Sequence, residues 1–311
     1  MAVTERTTNT VKIGLALGSG SARGWSHIGV IEALQAHGIK PDVIAGCSIG
    51  ALVGASYAAN KIAALEHWVR SLSLLETARF AGLDSTFNGL INKERLQKVL
   101  TAFVADETFT IDELQCSFAS VATDLSSGRE VWFTEGSVLE AVWASMALPG
   151  LFPPVWHKNR WLVDGGLVNP VPVSVCRALG ADFVIAVNLN GDLVGRHFDK
   201  ASSHDVEAAP SHWRDKMPWP LGSGGVTAEG SGGVGVEKPP GVFETIAGSI
   251  NIIQDRITRS RMVGEPPDIL ITPELADIGL LEFYRAGECI DEGKESVRRA
   301  LPEIQRLLQT S

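Results

Sequence analysis

Ser48 stands in Gly46-Cys47-Ser48-Ile49-Gly50, the Gly-x-Ser-x-Gly pattern of a nucleophile elbow. Such an elbow is a tight strand-to-helix turn that exposes a serine hydroxyl for attack on a carbonyl carbon. Gly46 and Gly50 meet the steric demand of so sharp a turn. DVIA before it reads as a strand and IGALVGASYAA after it as a helix. The N–H groups and dipole at the start of that helix favour negative charge developing at Ser48. Pentapeptides of this form also arise by chance, so the reading needs a base for the serine proton and donors for the oxyanion.

A Ser-His-Asp triad requires a histidine placed by the fold, usually well downstream of the serine. His67 lies in a surface helix, His197, His204 and His212 fall in a polar Gly-rich stretch, and His157 follows Pro153-Pro154 in a loop. None is visibly positioned as a base. WLVDGG offers another partner, because Asp164 ends a short apolar strand and Gly165-Gly166 let a second backbone approach closely. Burial beside a hydroxyl raises a carboxyl pKa and orients proton transfer. Taken alone, however, Asp164-Gly165 reads more readily as an Asp-Gly turn.

For the oxyanion, GSGSARG, Gly18 to Gly24, follows the first strand and opens a helix, which places glycine N–H groups at a helix N-terminus. Gly18-x-Gly20 also begins like a dinucleotide fingerprint, but Arg23 holds the third glycine position and glycine comes one residue late, at Gly24. The next strand ends in Gly46 rather than an acidic residue for ribose. No Gly-Lys-Ser/Thr follows, so a P-loop fails as well.

The elements that must position these residues alternate. Strands are expected at Val11 to Leu17, Asp42 to Ala45, Phe118 to Thr123, Glu130 to Phe133, Trp161 to Val163, Phe183 to Val187 and Asp268 to Ile271. Helices are expected at Ala22 to His37, after Ser48, at Lys61 to Leu72, Ile91 to Val104 and Val138 to Ala147, and from Glu282 to Gln309 with a break at Pro302. Phe243, Ile246, Ile250, Ile253 and Ile257 form a helical stripe that reads as core-facing rather than as a membrane anchor. The alternation predicts an α/β fold with a mostly parallel sheet. From Gly222 to Gly241, eight of twenty residues are glycine, so the insert at about 191–242 reads as a flexible loop. The other reading is a lid whose Trp213 and Trp219 touch substrate or membrane. Residues 1–10 are expected to be a disordered tail, and 11–311 a single domain.

Composition limits the function. The net charge of −9 and pI near 5.3 argue against non-specific nucleic-acid binding. Cys47, Cys116, Cys176 and Cys289 are dispersed, with no Cys-x-x-Cys pair, as expected of reduced cytoplasmic thiols. No run of eighteen or more apolar residues occurs, and no carboxylate-rich calcium loop or metal motif appears.

The order GSGSARG, GCSIG, DGG resembles the patatin-like phospholipases, most of all the bacterial members related to the esterase domain of neuropathy target esterase. GLALGSGSARGWSHIGVIEAL, AGCSIGALVGASYAA, ASVATDLSSGREVWFTEG, ASMALPGLFPPV, WLVDGGLVNPVPV and DIGLLEFYRAGE are similar to family segments. The likeness covers residues 11–190 and 243–300 and is absent across the Gly-rich insert. It implies a three-layer α/β/α fold and a Ser48–Asp164 dyad without histidine, Asp164 serving as base and then as acid. N–H groups around Gly18, Gly20 and Ser21 would stabilise the oxyanion, with Arg23 pinning the loop in preference to binding a phosphate head group. Where the family loop is often glycine, this chain has Ser19, which still offers an N–H.

Other residues take structural roles. His27 is expected to be packed, Asp124 to cap a turn and Cys47 to be buried and inert. Ala147-Leu148-Pro149-Gly150 and Phe152-Pro153-Pro154 are expected to shape the acyl pocket. The resemblance implies a serine lipid acyl hydrolase, a carboxylic ester hydrolase acting on phospholipid, lysophospholipid or another acyl ester. It implies no cofactor and no metal; the polar first ten residues, the dispersed cysteines and the lack of a membrane-spanning run point to a cytoplasmic location with at most peripheral membrane contact. Two other functions remain open: a regulatory or scaffold protein docking through the insert, and a soluble esterase or thioesterase for short acyl groups.

Overall fold

The computed structural model describes residues 11–80, 93–106, 108–191 and 242–310. The tail at 1–10, nearly all of the insert with Trp213 and Trp219, and His197, His204 and His212 lie outside these residues.

One eight-stranded sheet runs through the molecule. Its strands are β1 (Ile13–Leu17), β2 (Val43–Cys47), β3 (Ser117–Asp124), β4 (Glu130–Phe133), β5 (Val155–His157), β6 (Arg160–Asp164), β7 (Phe183–Val187) and β8 (Ile269–Ile271). The order is β5-β6-β3-β2-β1-β7-β8, with β4 also pairing β3. The five strands β3, β2, β1, β7 and β8 are mutually parallel, while β4 and β6 each pair antiparallel with β3, and β5 pairs antiparallel with β6. Strands buried on both faces need continuous apolar sequence, and IGLAL, VIAGC and FVIAV supply it.

Side chains alternate across the sheet with period two, and the two faces differ in size. Leu15, Leu17, Ile44, Phe118, Ile185 and Val187 face a large core with α1 (Ser26–Ala36), α2 (Ile49–Ala58), α6 (Val138–Ser145) and α9 (Ala286–Leu308). Ala16, Val43, Ala45, Val184 and Ala186 face a thinner one, against α7 (Val173–Ala178) and Met262 of α8 (Val242–Gly264). Small residues on the second face let α7 pack close. The result is three layers, α/β/α. Three further helices, α3 (Ile62–Arg70), α4 (Leu74–Phe80) and α5 (Lys93–Phe103), lie between β2 and β3 in the chain.

Several expectations are corrected. The helix expected from Ala22 opens as a 3-10 turn over Ser21–Trp25, and α1 begins only at Ser26. His157 is not in a loop but ends β5, joined to β6 by a two-residue turn in which Lys158 and Asn159 both have positive φ. Helix α9 continues through Pro302 without the expected break. Pro302 is exposed, so the carbonyl that loses its N–H partner there has solvent as an alternative.

The largest correction concerns α8. Ile253 is 47% exposed and Ile250 and Ile257 are only half-buried, while Asn251, Gln254, Asp255 and Thr258 are 5% exposed or less. The helix thus turns a polar face inward. The side chains of Phe243 and Ile246 lie outside the described residues.

Candidate active site

Sheet register brings the site together. Cys47 is level with Val121 across β2–β3, which places Ser48 beside Ala122, and Ala122 is level with Asp164 across β3–β6. Ser48 and Asp164 therefore flank β3 at the same height, at the carboxyl ends of the parallel strands where α/β sheets take ligands.

Ser48 has φ 56° and ψ −122°, a left-handed backbone that costs a non-glycine residue about 1–3 kcal/mol and thrusts its side chain out of the turn. The close approach leaves no room for larger neighbours: a methyl at Gly50 would strike the Leu17 carbonyl, and one at Gly46 the backbone of Ala51. The Ser48 N–H donates to Ser145 Oγ at 2.8 Å. The Ser48 hydroxyl donates to Asp164 Oδ2 at 2.5 Å.

Asp164 is 1% exposed. Its Oδ1 accepts from the Gly166 N–H at 2.7 Å, its own N–H donates to Ala147 O at 2.9 Å, and its carbonyl accepts from Thr123 Oγ1 at 2.8 Å. Gly165 lies against the Val121 carbonyl, where a methyl would collide. Burial lifts the Asp164 carboxyl to about 6, against the opposing pull of its bonds from Ser48 and Gly166. A buried carboxyl poised near neutrality and bonded to a strained serine suits general-base activation of that hydroxyl.

The glycine-rich loop lies alongside. Gly20, Ser21 and Ser19 line the same cleft as Ser48, and Gly24 packs against Ile49, the residue after the serine. Not all of its N–H groups are available as expected: Gly18 donates to Val187 O at 3.1 Å and Ser19 to Pro170 O at 2.9 Å. Those bonds tie the loop to β7 and to the segment after Asn169, and remove both Gly18 and Ser19 from the expected donors. Arg23 is fully buried and reaches the Gly20 carbonyl and the side chains of Asn190 and Asn251. It pins the loop from behind and presents nothing to a head group.

None of the described histidines lines the cleft at Ser48. His27 is buried, its Nε2 sits 2.8 Å from Gly18 O, and burial draws it down to about 4, which keeps it neutral. Neutral Nε2–H then donates to that carbonyl. His157 pairs through Nδ1 with Glu140 at 2.8 Å, and His67 is exposed. Cys47 is buried and its thiol raised well above its usual value, first by desolvation. Asp124 Oδ1 accepts from the Ser126 N–H and hydroxyl, a turn cap.

The cleft over Ser48 encloses about 870 Å³ including its open mouth. Its walls are apolar: Leu52, Trp68, Met146, Leu148, Phe152 and Phe283 among others. Leu148 and Phe152 come from the two segments expected to shape an acyl pocket. Sequence reasoning gave no role to Ser145, although it lies in ASMALPG, and none to Asn190, Asn251 or Gln254, for which no local signal exists. No group of three or more His, Cys, Asp or Glu suited to a metal is present among the described residues. No described helix is long and apolar enough to cross a membrane.

An α/β sheet carrying a serine elbow and a buried carboxylate at its carboxyl edge defines a hydrolase-like architecture. The family model described as patatin-like phospholipase matches residues 15–177. The chain belongs to the patatin-like phospholipase family. It is 31% identical over 341 residues to an uncharacterised NTE family protein of Mycobacterium tuberculosis, covering 96% of this chain and 94% of that one. It is also 29% identical to a lysophospholipase NTE1 of Pyricularia oryzae over 90% of this chain, and 36% identical to one of Coccidioides immitis over 94%. The aligned part spans 18% of each of those two much longer proteins.

Proposed function

We propose that the protein is a serine lipid acyl hydrolase of the phospholipase A or lysophospholipase kind, working through a Ser48–Asp164 dyad. Membership of a phospholipase family and likeness to proteins named lysophospholipases support the lipid ester class. The observation that carries the mechanism is the 2.5 Å bond from Ser48 Oγ to buried Asp164 beneath an apolar cleft. Ser48 Oγ attacks the ester carbonyl carbon while its proton passes to Asp164. The carbonyl oxygen, now an oxyanion, is held by the N–H groups of Gly20 and Ser21. Collapse breaks the acyl–oxygen bond, and the leaving alcohol takes the proton back from Asp164. Water, deprotonated by Asp164, then attacks the acyl-Ser48 ester, and Ser48 Oγ leaves reprotonated. The acyl chain lies along Leu52, Leu148 and Phe152.

The test is covalent labelling by a fluorophosphonate together with mass-spectrometric analysis of a lipid panel. Wild type is labelled at Ser48 and releases fatty acid; Ser48→Ala and Asp164→Ala do neither. Wild-type turnover in either variant would overturn the proposal.

A further inference from the structure

Peptide geometry decides where the N–H groups of the glycine-rich loop point. In a trans peptide the C=O and the following N–H lie on opposite sides, so whatever holds a carbonyl aims the next N–H the other way. The Ser19 carbonyl faces Asn190 Nδ2 at 3.5 Å, and the Gly20 carbonyl faces Arg23 Nε at 3.3 Å. Arg23 and Asn190 touch each other, Nη2 to Oδ1 at 3.4 Å, so both carbonyls turn toward one buried cluster. The N–H groups of Gly20 and Ser21 are thereby turned the opposite way, and both residues line the cleft beside Ser48.

The residues that hold those carbonyls are held in turn. Arg23 Nη2 donates to Asn251 Oδ1 at 3.1 Å. Gln254 Oε1 accepts from Ser19 Oγ and from Asn190 Nδ2, each at 3.0 Å. Asn190, Asn251 and Gln254 are 5% exposed or less. The side chains that bond Arg23, Asn190 and Asn251, are neutral, so they fix the guanidinium without cancelling its charge. Gln254 also abuts Gly166, where a methyl would strike its Nε2, and Gly166 donates to Asp164. A single side chain thus touches both the loop and the aspartate motif. Burying amides on α8 is costly unless they find partners, and Arg23, Ser19 and Asn190 supply them to Asn251 Oδ1 and Gln254 Oε1.

We infer that Asn190, Asn251 and Gln254 are positioning residues: an amide cluster on α8 and beyond β7 that holds the Ser19 carbonyl through Asn190 and the Gly20 carbonyl through Arg23, and so aims the Gly20 and Ser21 N–H groups at the substrate carbonyl oxygen. All three lie outside residues 15–177 matched by the family model. The inference rests on the acyl hydrolase reading above. It follows that α8 is part of the catalytic apparatus although none of its residues reacts. Displacing an oxyanion donor by about 1 Å costs on the order of 100-fold in rate.

The experiment measures fluorophosphonate labelling and hydrolysis of a soluble p-nitrophenyl ester by full-length wild type, Gln254→Leu and Asn251→Ala. Gln254→Leu is expected to lower kcat and the labelling rate about 10- to 100-fold, with KM within about threefold and the acid limb of the pH–rate profile unmoved. Asn251→Ala removes one acceptor from Arg23 and leaves Gln254 in place, so it is expected to fold even if Gln254→Leu does not and to lower kcat about tenfold. Circular dichroism identifies folded protein. A folded variant with kcat within threefold of wild type, or a loss confined to KM, overturns the inference. Labelling of wild type with no change in the variants refutes the positioning role alone, whereas wild type that is never labelled refutes the hydrolase reading and this inference with it.

Discussion

Asp164 is held at a cost that Asp164→Asn should reveal. Its carboxyl rises from 3.8 to about 6, chiefly through burial, with the bonds from Ser48 and Gly166 opposing. Between those values the folded protein holds a proton that the unfolded chain has lost, so stability falls as pH rises across this window. Above pH 6 the penalty is fully present, at about 1.4 kcal/mol per pKa unit, or about 3 kcal/mol in all. An asparagine keeps a carbonyl oxygen for the Gly166 N–H and offers an N–H₂ to Ser48 Oγ, but carries no charge. Asp164→Asn should therefore be more stable than wild type at pH 8 by up to about 3 kcal/mol, on the order of 5 °C in Tm, and inactive. Near pH 4, where the wild-type carboxyl is protonated, the two should melt alike. Thermal melts at pH 4.5 and 8, beside fluorophosphonate labelling, make the comparison. A variant less stable than wild type at pH 8 would refute the reasoning, because hydrogen bonds to the carboxylate would then outweigh its desolvation.

Other outcomes follow from the same geometry. If Asp164 must be ionised to act, kcat/KM should fall below about pH 6, to about one-tenth of its plateau at pH 5; an acid limb near pH 4 in the rate profile would contradict this. His27 is drawn below its ordinary 6.5 to about 4, so the unfolded chain gains a proton first. Its contribution to stability should decline by about 3 kcal/mol as pH falls from 6.5 to 4, and His27→Gln should flatten that slope in urea unfolding at pH 7 and 4.5. Ser145→Ala removes the partner of the Ser48 N–H and should slow labelling about tenfold with little change in KM, by loosening a strained elbow. Gly50→Ala drives a methyl into the Leu17 carbonyl and should destabilise by about 1–3 kcal/mol or more, measured as a lowered urea midpoint.

Much of the fold was legible in the chain because its signals are local. FVIAV reads as a strand wherever it sits, and β7 occupies the expected Phe183–Val187. GCSIG gave the elbow because a serine turn of that tightness needs glycine on both sides, and the register then brings Asp164 level with Ser48. Helix α8 was misread for an equally physical reason. Its isoleucines mark an apolar stripe, but whether a stripe or the amides beside it face inward depends on the partners across the interface. Those partners, Ser19, Arg23 and Asn190, lie 64 to 235 residues away in sequence. Pro302 passed as a helix breaker because its surroundings, an exposed turn of a packed helix, are invisible locally.

The sequence by itself determined the strand–elbow–helix, the aspartate turn, the glycine-rich loop and the alternation that makes the sheet, since each depends on backbone sterics and side-chain period within a few residues. Only the tertiary structure decided which loop N–H groups remain for an oxyanion, what raises Asp164 and which face of α8 is buried. Those are questions of hydrogen-bond satisfaction and desolvation, and a buried polar group is satisfied by whatever the fold brings to it.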